Sequence, residues 1–199
     1  MRKEKLEELK KIIYEFKTIK CEINNNPKKK FISSVPYLFT LNNGKVIPRE
    51  QLLKNNLDGS AVMIATQDKK SKEFLVTIEP RVFTKLGVAV SFPAGYIEKD
   101  ETEMDAARRE LREETGYYSD NFIHLDSFYQ DEGVSKAYNH IFLALDSIKK
   151  YDQDLDENEF IKYMTFTYDE LLEIEKLGYI SGSNTKLTLC KMKNYIDGR

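Results

Sequence analysis

Apolar residues recur every three or four positions in several parts of the chain, which is typical of amphipathic helices. In the first twenty residues or so, the apolar positions that share one helical face are Leu6, Leu9, Ile12, Ile13, Phe16 and Ile19. A second helix is predicted after Thr102, which with Asp105 is expected to form a capping box. Two further helices are predicted near the carboxyl terminus, over Asp169–Leu177 and roughly Thr185–Tyr195.

Short β-prone runs predict the strands. The dipeptide Asn43-Gly44 predicts a hairpin spanning Tyr37–Ile47, and a polar segment joins Ala61–Thr66 to Phe74–Ile78 in a second hairpin. The remaining predicted strands are Leu86–Phe92, Phe122–Gln130, Tyr138–Leu145 and Glu159–Phe166. Strands on both sides of an internal helix, followed by terminal helices, predict an α/β fold with a mixed sheet between helices.

The helix after Thr102 concentrates carboxylates on one side. Glu110 and Glu114 are one helical turn apart and Glu113 lies beside them, so their charges repel each other. A divalent cation would remove this repulsion, and hard oxygen ligands of this kind suit Mg²⁺ or Mn²⁺. Arg109 and Arg112 are expected to orient the carboxylates and to limit the repulsion when no metal is bound.

Length and composition limit the class of protein to which this helix can belong. The 199 residues are enough for one domain with a full core and an extension, and the net charge of −2 argues against general nucleic-acid binding. No apolar run is long enough to span a membrane, and the amino terminus lacks the apolar segment of a signal peptide. Cys21 and Cys190 lie far apart and are interpreted as reduced thiols. We therefore expect a cytoplasmic protein with no membrane partner.

Between Gly95 and Tyr117 the charged residues follow a fixed spacing: Gly, five residues, Glu, seven residues, Arg-Glu-apolar, one residue, Glu-Glu, one residue, Gly. The matching positions are Gly95, Glu101, Arg109, Glu110, Leu111, Glu113, Glu114 and Gly116. This pattern resembles the signature box of the Nudix hydrolases. It departs from the family only at Tyr117, where an aliphatic residue is usual.

The resemblance implies a Nudix-type α/β/α sandwich over residues 57–197. Residues 1–56 would form an amino-terminal extension made of a helix, a linker at Asn24–Lys30 and the first hairpin. It also implies that the metal is held by the carbonyl of Ala94 and by the carboxylates of Glu110, Glu113 and Glu114. The order of elements and the sequence Phe92-Pro93-Ala94-Gly95 are similar to the branch acting on ADP-ribose and nucleoside-diphosphate sugars. In that branch the extension often helps to form a dimer, so a homodimer is expected.

One position departs from the ADP-ribose members of this branch. They usually carry a proline about sixteen residues beyond the last glycine of the box, where this chain has Glu132. Glu132 is a candidate both for binding substrate and for accepting the proton from the attacking water; a box glutamate is the alternative base. Arg81 follows a predicted strand and can pair bidentately with phosphate, and Gly95 is the third candidate substrate contact.

The expected reaction is Mg²⁺-dependent hydrolysis of the pyrophosphate bond in a nucleoside diphosphate linked to a sugar-like group. Glu113, Glu114, Glu132 and Arg109 are the expected catalytic residues, and Mn²⁺ is expected to substitute for Mg²⁺. The substrate alternatives are a nucleoside triphosphate, coenzyme A or an RNA cap. A different class of function, a non-catalytic nucleotide sensor, would typically have a damaged box, whereas this one is intact.

Overall fold

A computed structural model describes residues 1–28 and 30–198. The helices are α1 (Lys3–Glu15), α2 (Glu103–Thr115), α3 (Tyr168–Lys176) and α4 (Ser183–Asp197). The strands are β1 (Ile32–Thr40), β2 (Val46–Lys54), β3 (Ala61–Asp68), β4 (Phe74–Pro80), β5 (Val88–Ser91), β6 (Ala94–Tyr96), β7 (Tyr117–Tyr118), β8 (Asn121–Tyr129), β9 (Tyr138–Lys149) and β10 (Lys162–Phe166). The predicted linker is irregular where described, and its Lys29 lies outside the described residues. Within those ranges no helix combines the length and apolar content needed to cross a bilayer.

The main sheet is mixed, as predicted. Its strand order is β10-β4-β3-β9-β7, with β5 pairing β4, β6 pairing β3 and β8 pairing β9. Strands β3 and β9 are parallel, with Val62 opposite His140, whereas the other pairs are antiparallel. The predicted second hairpin is present as β3 and β4, which pair at Thr66–Leu75.

Helices cover both faces of this sheet, because alternate residues of its central strands point to opposite sides. Val62 and Ile64 pack with α2 in one apolar cluster, and Met63 and Ala65 belong to a second cluster on the other face. The second cluster contains residues of α1, α3 and α4: Leu9, Ile12, Leu171, Ile174, Leu189 and Met192. The architecture is therefore the α/β/α sandwich expected from the sequence.

Helix α1 packs against this sandwich, although it belongs to the predicted extension. Leu9 is fully buried, and Arg2 Nε donates to Glu170 Oε1 of α3 at 2.8 Å. Lys5 pairs with Glu73 at 2.5 Å. The helix ends at Glu15 rather than near residue 20. Ile19, the last apolar position of the predicted face, is fully exposed beyond it.

The first hairpin forms a separate two-stranded sheet that is longer than predicted. Strand β1 pairs with β2 from Ile32–Lys54 to Thr40–Val46, and Gly44 takes the positive φ of 81° that the turn requires. Its large apolar side chains with substantial exposure are Ile32, Leu38, Phe39, Leu41 and Val46. The hairpin contacts the loop after β8, where the backbone N–H of Leu52 donates to Val134 O at 2.6 Å.

The predicted capping box at the start of α2 is only half correct. The Thr102 hydroxyl accepts from the backbone N–H of Asp105 at 3.2 Å, as expected. The Asp105 carboxylate, however, accepts from that same hydroxyl at 2.6 Å instead of reaching back to the Thr102 backbone. Aspartate is one methylene shorter than the glutamate of a reciprocal box. The full reciprocal pair occurs in α3, between Thr167 and Glu170.

Candidate active site

Helix α2 holds the three carboxylates of the box at the edge of the sheet. Its apolar side, including Ala107 and Leu111, is buried in the cluster with β3 and β9. This packing fixes the opposite side of the helix toward β6. Glu110 and Glu114 are 9% and 6% exposed, whereas the side chain of Glu113 is 26% exposed.

A glycine makes room for the first of these carboxylates. A Cβ atom added to Gly95 in β6 would lie 1.9 Å from Glu110 Oε1 and 2.4 Å from Oε2, far inside van der Waals contact. The neighbouring backbone N–H of Ala94 donates to Glu114 Oε2 at 3.0 Å. Strand β6 therefore positions two carboxylates of α2: Gly95 makes room for Glu110 because it has no side chain, and the Ala94 N–H binds Glu114.

Arg109 connects the two ends of the box. Its Nε and Nη2 donate to the two oxygens of Glu101 at 2.9 and 3.0 Å. Its Nη1 donates to Glu110 Oε1 at 2.7 Å and to Glu113 Oε2 at 3.1 Å. The guanidinium thus orients two of the predicted metal ligands, as the sequence suggested, and its hydrogen bonds lower the pKa of Glu101.

The most buried carboxylates of the box are difficult to ionise without a cation. Burial raises the pKa of Glu110 to about 7, although Arg109 acts in the opposite direction. Burial, reinforced by the charge of Glu110, also raises the pKa of Glu114 well above its ordinary value. Two acidic groups held close together and away from water are a source of electrostatic strain that a bound cation would relieve.

The carboxylates of the box supply the oxygen ligands that a hard divalent cation prefers. They are not, however, arranged as a complete coordination shell. No three Asp, Glu, His or Cys side chains within residues 1–28 and 30–198 form such a cluster. One observation favours the cation: the carboxylate oxygens of Glu110, Glu113 and Glu114 are of the type that Mg²⁺ prefers. Arg109 holds Glu110 and Glu113 in this arrangement, so a cation would compete with its guanidinium for the same oxygens.

The carboxylates line a cavity of about 510 Å³. The predicted site residues that meet in its wall are Arg81, Ala94, Gly95, Arg109, Glu110, Glu113 and Glu114. The Arg81 side chain is 59% exposed and its Nη2 pairs with Glu79 Oε2 at 2.9 Å. Glu132 is exposed on the loop after β8 and is not among the described residues of this wall.

The loop between β9 and β10 adds acidic residues that the sequence interpretation did not assign to the site. Asp154, Asp156 and Glu159 line the same cavity as the carboxylates of the box. The backbone N–H of Asp154 donates to Glu113 O at 2.9 Å, and that of Tyr151 donates to Gly116 O at 3.0 Å. The available signal was the acidic composition of residues 152–159, which by itself is also typical of a solvated loop.

Glu79 was also missed. Its side chain at the end of β4 is 17% exposed, and burial raises its pKa. The charge of Glu159 raises the pKa values of Glu79, Glu110 and Glu114, which places Glu159 near these three carboxylates. The cavity is therefore strongly acidic, with Arg81, Arg109 and Lys54 as its basic side chains.

Comparison with known proteins identifies the family of this chain. The chain matches the model of the NUDIX domain family over residues 57–183, more than half of its length. It is 32% identical over 139 residues to the ADP-ribose pyrophosphatase of Bacillus subtilis (strain 168), covering 67% of this chain and 70% of that protein. The chain therefore belongs to the Nudix family, as its box predicted, and is a Nudix pyrophosphohydrolase.

Two further similarities concern the branch and the fold. The chain is 26% identical over 165 residues to the GDP-mannose pyrophosphatase of Salmonella arizonae, covering 79% of this chain and 85% of that protein. A crystal structure described as an ADP compounds hydrolase superposes with a TM-score of 0.72 at 18% identity, covering 88% of this chain and 91% of that one. The structural match shows that the fold is shared.

Proposed function

We propose that this protein hydrolyses the pyrophosphate bond of a nucleoside diphosphate linked to a sugar-like group. The products would be a nucleoside monophosphate and a phosphorylated remainder. The observation that carries the proposal is the buried pair Glu110 and Glu114, which faces a cavity that also contains Arg81 and Arg109. The similarity to an ADP-ribose pyrophosphatase and to a GDP-mannose pyrophosphatase supports this substrate class.

The proposed cofactor is Mg²⁺, and Mn²⁺ satisfies the same ligand preference. The carbonyl of Ala94 and the carboxylates of Glu110, Glu113 and Glu114 would hold the ion. When bound, a divalent cation neutralises charge on the diphosphate and makes water more acidic. Arg109 would keep the carboxylates oriented, since its guanidinium already bonds two of them.

Two cavity residues are proposed to act on the phosphate and the nucleophile. Arg81 directly follows β4 and presents an exposed guanidinium, whose planar fork matches two phosphate oxygens. Glu159 is our candidate for accepting the proton of the attacking water, because it lines the same cavity as Glu110, Glu113 and Glu114. Glu132, the candidate from the sequence, remains an alternative base on the loop that touches the first hairpin.

The test of this function is a substrate panel measured with Mg²⁺. We expect the highest kcat/KM on ADP-ribose or a nucleotide sugar, and lower values on NADH, diadenosine polyphosphates and nucleoside triphosphates. A lead of tenfold or more for a triphosphate or coenzyme A, equivalent to ~1.4 kcal/mol of transition-state preference, would contradict the substrate class. Nucleotide binding without turnover of any substrate would favour the sensor alternative.

We further propose a homodimer in the cytoplasm, in which a second copy covers the first hairpin. The support is the exposed apolar surface of β1 and β2, where Leu38 is 75% exposed and Val46 is 52% exposed. A two-fold dimer is the commonest way to bury such a surface. The division into an extension at 1–56 and a catalytic domain at 57–197 is part of this proposal. Cys21 and Cys190 are free and exposed, which suits a reducing compartment.

A further inference from the structure

The two histidines of the chain lie on neighbouring strands at the β8 edge of the main sheet. In the pairing of β8 with β9, His124 lies opposite Phe142 and Ser127 lies opposite His140. Phe142 and His140 are two residues apart on β9, so their side chains point to the same face. His124, Ser127 and His140 therefore share the face on which α2 packs, where Phe142 belongs to the apolar cluster of that helix.

A β-bulge brings the two histidines together. His124 and Ser127 are three residues apart, so in a regular strand they would point to opposite faces. The register shifts between His124 and Asp126, however, and Leu125 has no partner in it. Bulges redirect side chains and are frequent at sheet edges and beside functional sites. Here the bulge turns His124 onto the face that carries His140.

The two imidazole rings converge on a single oxygen atom. His124 Nε2 lies 2.7 Å from Ser127 Oγ, and His140 Nδ1 lies 2.9 Å from the same atom. Edge contacts with Phe142 and Tyr138 hold the two rings, at centroid distances of 5.4 and 5.3 Å. Because an imidazole nitrogen binds Zn²⁺ at about 2.0–2.1 Å, each nitrogen needs to move by less than about 1 Å to bind an ion in place of the hydroxyl.

The surroundings of His140 favour a cation. The residue borders a cavity of about 370 Å³ that is also lined by four acidic residues, Asp58, Glu98, Glu101 and Glu103. Glu101 is paired with Arg109, but the described residues of this wall include no lysine or arginine. Burial lowers the pKa of His140, although the charge of Glu103 acts in the opposite direction. A neutral imidazole has a lone pair available for a metal ion.

We propose that His124 and His140 form a binding site for a divalent transition-metal ion of the Zn²⁺, Cu²⁺ and Ni²⁺ group, with the ion in the position of the Ser127 hydroxyl. Imidazole nitrogens suit these ions, whereas Mg²⁺ prefers oxygen. The site has two protein ligands, and water completes the coordination, since His124 is exposed and His140 borders the cavity. The bound ion links β8 to β9, and it takes no part in the proposed hydrolysis.

The test is a calorimetric titration of Zn²⁺ into the full chain carrying Cys21→Ser and Cys190→Ser, in excess Mg²⁺. The two substitutions remove exposed thiols that also bind Zn²⁺, and Mg²⁺ competes for carboxylate sites. We expect this parent protein to bind Zn²⁺ saturably. His124→Ala and His140→Gln should each weaken the binding about tenfold or more, because losing a ligand costs at least as much as losing a group that only orients one.

Ser127→Ala is the matched control on the same strand face. It removes the hydroxyl that joins the two rings but keeps both nitrogens, so the Kd of Zn²⁺ should stay within about threefold of the parent value or fall. A tenfold loss of affinity in Ser127→Ala would contradict the position assigned to the ion. Zn²⁺ should also raise the melting temperature of the parent and not that of His124→Ala, because an ion that binds the folded state stabilises it.

Electron paramagnetic resonance of the Cu²⁺ complex identifies the ligand atoms. We expect coupling to two imidazole nitrogens in the parent and to fewer in His124→Ala. Since His124 is exposed, this variant provides the test if His140→Gln fails to fold. Absence of saturable Zn²⁺ binding by the parent, or an unchanged Kd in His124→Ala, would overturn the proposal. None of these measurements needs a substrate, so their outcome is independent of the substrate panel.

Discussion

Replacing Gly95 with alanine tests whether the close approach of β6 to Glu110 is needed for activity. The φ angle of Gly95 is not in the positive region that favours glycine, so the backbone accepts alanine without strain. The three heavy atoms nearest to the new Cβ all belong to the Glu110 carboxyl group. The substitution therefore displaces one carboxylate and leaves the strand in place.

The required displacement follows from the contact distances. The added Cβ would lie 1.9 Å from Glu110 Oε1, and real Cβ contacts are essentially never shorter than 3.0 Å. The carboxylate must move by roughly 1.1 Å, the difference between these two distances, which also disturbs its 2.7 Å bond to Arg109. A misplacement of about 1 Å in a catalytic group costs on the order of 10²-fold in rate.

We expect kcat/KM of Gly95→Ala with Mg²⁺ to fall by about 10²-fold, while its circular dichroism spectrum and melting temperature stay close to wild type. Gly133→Ala is the matched control, because its Cβ would meet only Asp131 Oδ1 at an ordinary 3.4 Å. The control should retain full activity. Wild-type activity in Gly95→Ala, with metal affinity unchanged, would refute the assignment of Glu110 to the metal site.

Three further outcomes are expected. Glu114→Gln should lose at least ~10²-fold of Mg²⁺-dependent turnover while remaining folded, measured by kcat and thermal unfolding; near-normal activity with normal metal affinity would overturn its role. Glu170, whose pKa is lowered to about 2 mainly by its hydrogen bond with Arg2, stabilises the fold above pH 4.5 and loses this effect as the pH falls toward 2. Denaturant titrations should therefore give Glu170→Gln a deficit of roughly 2 kcal/mol at pH 7 that disappears at the acidic end; a constant deficit would contradict this. Leu38→Glu should dissociate the proposed dimer in light scattering, and a monomeric wild-type protein at micromolar concentration would refute the dimer.

The elements that sequence patterns located best are those buried on one or both sides. Strands β3 and β4 were predicted because most of their buried residues are apolar, and α2 because Ala107 and Leu111 must face the sheet. The hairpin β1–β2 extends well beyond its predicted bounds. Its side chains are mostly exposed, so no alternation of apolar and polar residues marks where the strands begin and end.

The local part of the candidate site was predictable for a similar reason. The carboxylates of α2 lie on one helix, so spacing along the chain fixes their relative positions before any tertiary contact is known. Their burial was not predictable, because it depends on the approach of β6 at Gly95 and on the Ala94 N–H that bonds Glu114. The spacing along the sequence therefore predicted which carboxylates lie together, and the packing of β6 against α2 determines their pKa values.

The acidic loop after β9 could not be placed from sequence because its position depends on backbone hydrogen bonds between distant segments. The N–H groups of Lys150 and Tyr151 donate to Gly116 O, and that of Asp154 donates to Glu113 O. These bonds exist because α2 ends at Gly116, whose positive φ of 69° turns the chain and leaves its carbonyl available. A side chain at Gly116 would lie 2.1 Å from Tyr151 O, so the same glycine admits the loop. The last glycine of the box thus positions a second set of carboxylates, and we infer that its role in this protein extends from ending the helix to assembling the cavity.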